Sequence, residues 1–206
     1  MIKKINFLVL FMLTFIVILP AQETNSVSES RKKNIMKQLD YRFKGGYYTF
    51  EKIFNNNVTY PKMVERSCIM GIVIVSFEVD CSGEFTEFTF KNPIHKSIHE
   101  EIANFFDLTA GQWNECKDDK YTRFEIPIQF RIKGVETNTT DAILVCEGES
   151  LGYVCNGDDY YYKKATKLLE KGKGKKAMEH IDMLIKHDPF NIEYYDMKKE
   201  AISLMK

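Results

Sequence analysis

Residues 123–132 form the most restrictive stretch of the chain: Arg-Phe-Glu-Ile-Pro-Ile-Gln-Phe-Arg-Ile. Phe124, Ile126, Ile128, Phe130 and Ile132 alternate with Arg123, Glu125, Pro127, Gln129 and Arg131. That period of two predicts a half-buried strand, because successive side chains leave opposite faces of a pleated backbone. Pro127 has no N–H to give to a ladder, which predicts a position on a sheet edge. An edge offers unpaired main-chain groups, so Arg123, Glu125, Pro127, Gln129 and Arg131 become the candidate partner-binding set. The bland alternative is a solvated strand face with Pro127 guarding the edge.

Two more strands precede it. Across residues 71–80, Val73, Val75, Phe77 and Val79 alternate with Ile72, Ile74, Ser76 and Glu78, and the near end is apolar on both faces. A strand of this kind is expected at the centre of a sheet, covered on both sides. Asp80-Cys-Ser-Gly83 supplies hairpin chemistry. Phe85, Phe88 and Phe90 then break period two once, as a bulge or a late strand start would. After Asn92-Pro93, residues Ile98, Ile102, Phe105 and Phe106 recur at helical spacing and define a helix with one apolar face. Upstream, Gly45-Gly46 reads as a turn free to take positive φ. Phe50, Ile53 and Phe54 then mark a short helix ending at Asn55-Asn-Asn57.

The reading is therefore α+β, with the order β-β-α-β in an antiparallel three-stranded sheet and the first strand central. Residues 158–206 carry amphipathic helical runs broken at Gly172-Lys-Gly174 and are expected to form a small all-α helical hairpin. Residues 135–157 read as a linker, and residues 22–42 as a polar linker with a short helix. With 44% hydrophobic residues, 15 Phe and 11 Tyr, the chain has apolar mass for a real core. Lys+Arg and Asp+Glu are both 29, which gives no support to nucleic acid as a partner.

Lys3-Lys4 precede an apolar run from Ile5 to Leu19, followed by Pro20-Ala21-Gln22. This reads as a secretory signal over residues 1–21, cleaved after Ala21. An uncleaved inner-membrane anchor is the rival reading. Export allows disulfides. The five cysteines are an odd set, so one thiol stays free or pairs between chains. The strand order brings Cys81 near Cys116. Cys146 and Cys155 bracket a small loop, so Cys81–Cys116 and Cys146–Cys155 are the expected bonds and Cys68 the odd thiol. His95 and His99 lie one helical turn apart without a third ligand and read as surface residues. Trp113 reads as core. No metal or cofactor is expected. Asn57-Val-Thr and Asn138-Thr-Thr match glycosylation sequons by pattern only.

Phe43-Lys-Gly-Gly46, Asn57-Val-Thr-Tyr60-Pro61, the 71–83 strand and turn, Trp113 and Pro127-Ile128-Gln-Phe130 together resemble the TonB C-terminal domain. The resemblance runs over residues 43–134. It implies binding of an extended peptide by edge-strand addition, with an outer-membrane TonB-dependent receptor as one class of partner. The tail, through Ala165, Leu168, Ala177, Ile181 and Asp188-Pro189, resembles one TPR (tetratricopeptide) repeat. A histidine for motor coupling and a long Pro-rich spacer are both missing. The expectation is an exported, periplasmic, non-enzymatic protein that binds a protein or peptide, with dimerisation left open. The alternative is a TPR-type periplasmic adaptor uncoupled from proton-motive force.

Overall fold

A computed structural model describes residues 21–116, 119–137, 141–150 and 152–205. The signal segment expected over residues 1–21 lies outside them except for Ala21, as does the Asn138 sequon. No described helix is long and apolar enough to cross a membrane.

Four strands form one sheet: β1 (Gly71–Val79), β2 (Phe85–Lys91), β3 (Arg123–Ile132) and β4 (Leu144–Gly148), in the spatial order β2-β1-β3-β4. β1 is antiparallel to both neighbours, whereas β3 and β4 run parallel. The three-stranded antiparallel expectation is thus corrected to a four-stranded mixed sheet. β4 lies within the stretch read as a linker. The period break on β2 is a bulge: Glu78 faces Glu87 and Val79 faces Phe85, leaving Thr86 unpaired.

The apolar face behaves as the alternation requires. Val73, Val75, Val79, Phe124, Ile126, Ile128 and Phe130 are fully buried beneath three helices. These are α1 (Ala21–Arg42), which runs on through the stretch read as a linker, α2 (Gly46–Asn57) and α4 (Lys96–Leu108). A five-residue helix, α3 (Lys62–Arg66), precedes β1. Helix α4 buries Ile98, Ile102, Phe105 and Phe106, each worth roughly 1.5–3 kcal/mol in removed apolar surface. Phe77 stacks on Phe124 with centroids 4.9 Å apart, and Trp113 meets Phe43 edge-on at 5.1 Å. The turn into α2 uses φ of 84° at Gly45 and 69° at Gly46, a region closed to most side chains.

The tail holds three helices rather than a hairpin: α5 (Asp158–Leu169), α6 (Gly174–His187) and α7 (Ile192–Ser203). They enclose a second core of Ala165, Ala177, Ile181, Leu184 and Ala201. The end of α6 abuts the start of β1. A Cβ at Gly71 would overlap the Lys186 carbonyl, and the Asn92 amide donates to the carbonyls of both Ile72 (2.6 Å) and Lys186 (3.2 Å). Nearby, His187 is fully buried with its Nδ1 2.6 Å from Asp158 Oδ1. The Arg31 guanidinium lies 3.9 Å above the Phe190 ring and pairs with Asp141 at 2.7 Å.

Asp188 sits in this junction at 7% exposure. Burial pushes its carboxyl up from 3.8 to about 6, opposed by the Phe190 N–H and aided by Asp141 and Asp158. The folded protein therefore holds this proton more tightly than the unfolded chain. The site favours folding at low pH and loses that contribution as pH rises from about 4 through 6. Asp188→Asn keeps an acceptor for the Phe190 N–H and removes the charge. It should stabilise the protein by about 1–3 kcal/mol at pH 7 and have little effect at pH 4. Urea unfolding of both proteins at the two pH values measures the difference.

Candidate partner-binding edge

β3 is an internal strand, flanked by β1 and β4, so the edge expected from Pro127 is not there. Pro127 pairs with Ile74 on one side, and its carbonyl accepts the Ile143 N–H on the other at 3.1 Å. A residue's N–H and C=O point to the same side of a strand, so the missing N–H of Pro127 faces the β4 side. It falls just ahead of the point where β4 begins, which is how proline fits an internal strand here.

The rest of that set lies on the sheet face opposite the core. Arg123 pairs with Glu78 at 3.2 Å, Glu125 with Lys91, and Arg131 with Glu147 at 2.7 Å. Gln129 is buried and donates to Thr137 Oγ1 at 3.2 Å. Exposed pairs of this kind contribute about 0–1 kcal/mol each.

The sheet's true edges are β2 and β4, and their outer sides differ. β4 is blocked. The buried Glu65 carboxylate takes the Glu149 N–H at 2.5 Å, and a Cβ at Gly148 would strike Tyr60 and Glu65. Burial pushes the Cys146 thiol of this strand up to about 12, with Glu101 and Glu65 adding to the effect.

β2 is open. Val79 N–H donates to Thr122 on the β3 side, while the Ile72 carbonyl accepts from Asn92 on the β2 side. Odd residues of β1 therefore address β3 and even ones β2, as alternation along an antiparallel ladder demands. The register sets Thr89 against Ser76 and Lys91 against Ile74, which turns the main chains of Phe88 and Phe90 outward. Neither makes a backbone hydrogen bond beyond the ladder among the described residues. Thr86, Glu87, Thr89 and Lys91 are exposed, while Phe88 and Phe90 are half-buried.

Asn92, at φ 53°, ends the strand. At the other end, Asp80 Oδ1 accepts from Ser82 N–H (2.9 Å), Ser82 Oγ (2.6 Å) and Glu84 N–H (3.0 Å). These bonds, Ser82's hydroxyl first, hold the carboxyl below its ordinary value. An open groove of about 820 Å³ lies beyond this turn, lined by Lys44, Gly83, Glu84, Phe85, Gly111 and Trp113.

Sequence reasoning passed over β2 as a mere return strand. The available signal was its bulge and the polar Thr86, Thr89 and Lys91, the usual dress of an edge. The histidines near it have local tasks. His95 caps α4 by accepting the Ser97 N–H at 3.2 Å, and His99 stacks on Phe90 at 4.3 Å. Burial, with His95 nearby, lowers the His99 pKa.

The cysteines correct one expected bond and bear out the other. Cys81–Cys116 forms, with Cα atoms 4.5 Å apart. The second bond is Cys68–Cys155, Cα atoms 5.5 Å apart, and Cys146 is the free, buried thiol. Two disulfides of this kind belong to an oxidising, exported compartment. No family model matches the chain, and no match is found among curated proteins or solved structures.

Proposed function

We propose that the chain is an exported envelope protein that binds a protein or peptide by strand addition at the outer edge of β2, without catalysis. The observation that carries this reading is the outward, unpartnered main chain of Phe88 and Phe90 on an exposed strand. Main-chain donors and acceptors provide affinity in such complexes, and alternate side chains select. The motif order that resembles the TonB C-terminal domain supports a periplasmic setting. An extended segment of an outer-membrane TonB-dependent receptor is then one class of partner.

A second reading, a periplasmic adaptor uncoupled from proton-motive force, draws on the tail, where Ile192, Tyr160 and Tyr195 are exposed. Photoreactive side chains placed singly at Thr89 and Tyr195, in protein exported by its native route, separate the two. Adducts from position 89 are expected. Adducts from position 195 alone would replace the edge reading with the adaptor.

A further inference from the structure

We infer that the occupant of the β2 edge is a second copy of this chain, paired antiparallel about Thr89. The inference rests on β2 being the binding edge, and it adds the partner and the register.

β2 is its own complement. With Thr89 opposite Thr89 of the second copy, Glu87 falls opposite Lys91, Phe88 opposite Phe90, and the same pairs recur by symmetry. A two-fold interface requires this self-matching of a patch with itself. Main-chain geometry permits the register. Phe88 and Phe90, which point outward in each copy, become the hydrogen-bonded pairs, each exchanging both N–H···O bonds. Thr89 and the Glu87/Lys91 positions become the non-bonded pairs, where side chains approach most closely.

The charges of the isolated chain fit the same arrangement. Glu87 faces Glu78 directly across the ladder, two carboxylates side by side. Arg123 pairs with Glu78 and Lys91 with Glu125, while Glu87 has no ion-pair partner among the described residues. Lys91 of the second copy arrives beside this uncompensated carboxylate.

The apolar side is equally unfinished. Phe88 packs on Phe106 with centroids 5.2 Å apart and Phe90 on His99, yet both phenylalanines stay half-exposed at the sheet margin. The second copy sets its Phe90 beside Phe88 and its Phe88 beside Phe90, extending one aromatic layer across the axis. The product is a continuous sheet in the order β4-β3-β1-β2, then β2-β1-β3-β4 of the second copy.

Charge reversal tests this on the full chain by sedimentation equilibrium up to ~100 µM, a range that reads weak dimers. Wild type is expected to dimerise. Glu87→Lys alone and Lys91→Glu alone each turn two attractive contacts repulsive and should weaken the dimer about ten-fold. The double variant should recover it. Mixing the two single variants should give heterodimers, since one then carries lysine at both positions and the other glutamate at both. The recovery and the mixed dimer also guard against misfolding as an explanation of the single losses. A monomeric wild type, or a dimer indifferent to both reversals, overturns the inference.

Cross-linking from position 89 separates this failure from that of the edge itself. A product of twice the chain mass supports the dimer. A foreign adduct keeps the edge and discards the second copy. The absence of any adduct discards both.

Discussion

Replacing Arg42 with methionine is expected to destabilise the protein by about 3–5 kcal/mol, because several buried main-chain carbonyls lose their donor at about 1–3 kcal/mol each. Arg42 closes α1 and is fully buried. Its guanidinium reaches main-chain carbonyls only: Asp80 at 2.6 Å, Tyr121 at 3.0 Å and Asn114 at 3.1 Å, with Val79 and Lys120 at 3.4 Å. Three stretches distant in sequence thus converge on one planar donor group. They are the end of β1, the approach to β3, and the loop around Asn114. Burial lowers the Arg42 pKa, and nearby Tyr41 and Asp80 oppose that shift.

Methionine keeps much of the apolar stem and deletes the donors, so the loss measures carbonyls left without partners, about 1–3 kcal/mol each when buried. Lysine should recover only part of it, because an ammonium cannot fan its donors in a plane. Urea unfolding at constant slope measures both variants, and a methionine variant within about 1 kcal/mol of wild type would show that Arg42 is not a hub.

The second large effect concerns sulfur. Replacing Cys68 and Cys155 together by serine should cost about 2–5 kcal/mol, because their bond closes a loop with a sequence separation of 87. Cys146→Ala should cost far less, since it removes one buried sulfur and no cross-link. Had Cys146 been the partner of Cys155, the two experiments would give similar losses. A non-reducing peptide map should join Cys68 to Cys155 and Cys81 to Cys116. Cys146, buried and held above its ordinary pKa, should resist alkylation at pH 8 until the protein unfolds.

Periodicity read in the sequence located β1, β2, β3, α2, α4 and the bulge, because each depends on which side of one element is apolar. What escaped depends on neighbours. β4 is five residues long and set among polar ones, too short for alternation to separate it from a loop. Missing it turned β3 into an edge, and Pro127 reinforced the mistake. Proline restricts one N–H on one side of a strand, not the strand's place in the sheet. The pairing of Cys155 failed for a related reason. Closeness in sequence favoured Cys146, but β4 carries that residue into the sheet, and Cys155 meets Cys68 just ahead of β1. Arg42 gave no sequence signal at all, since its partners are backbone atoms that only the fold assembles. The candidate edge was legible as residues but not as an edge.

The Cys68–Cys155 bond encloses all four strands, β1 through β4, in a covalent ring. Tension applied to the two ends of the chain would pass from residue 68 across the sulfurs to residue 155 and bypass the sheet. The helices outside the ring would carry the load, while a strand docked on β2 would stay on an unloaded platform. Cutting that one bond would place the enclosed segment in the line of force; with Cys81–Cys116 still closing part of it, the chain's full reach would grow by about 180 Å. The oxidation state of the Cys68–Cys155 pair would therefore set how much of the sheet such a load can reach.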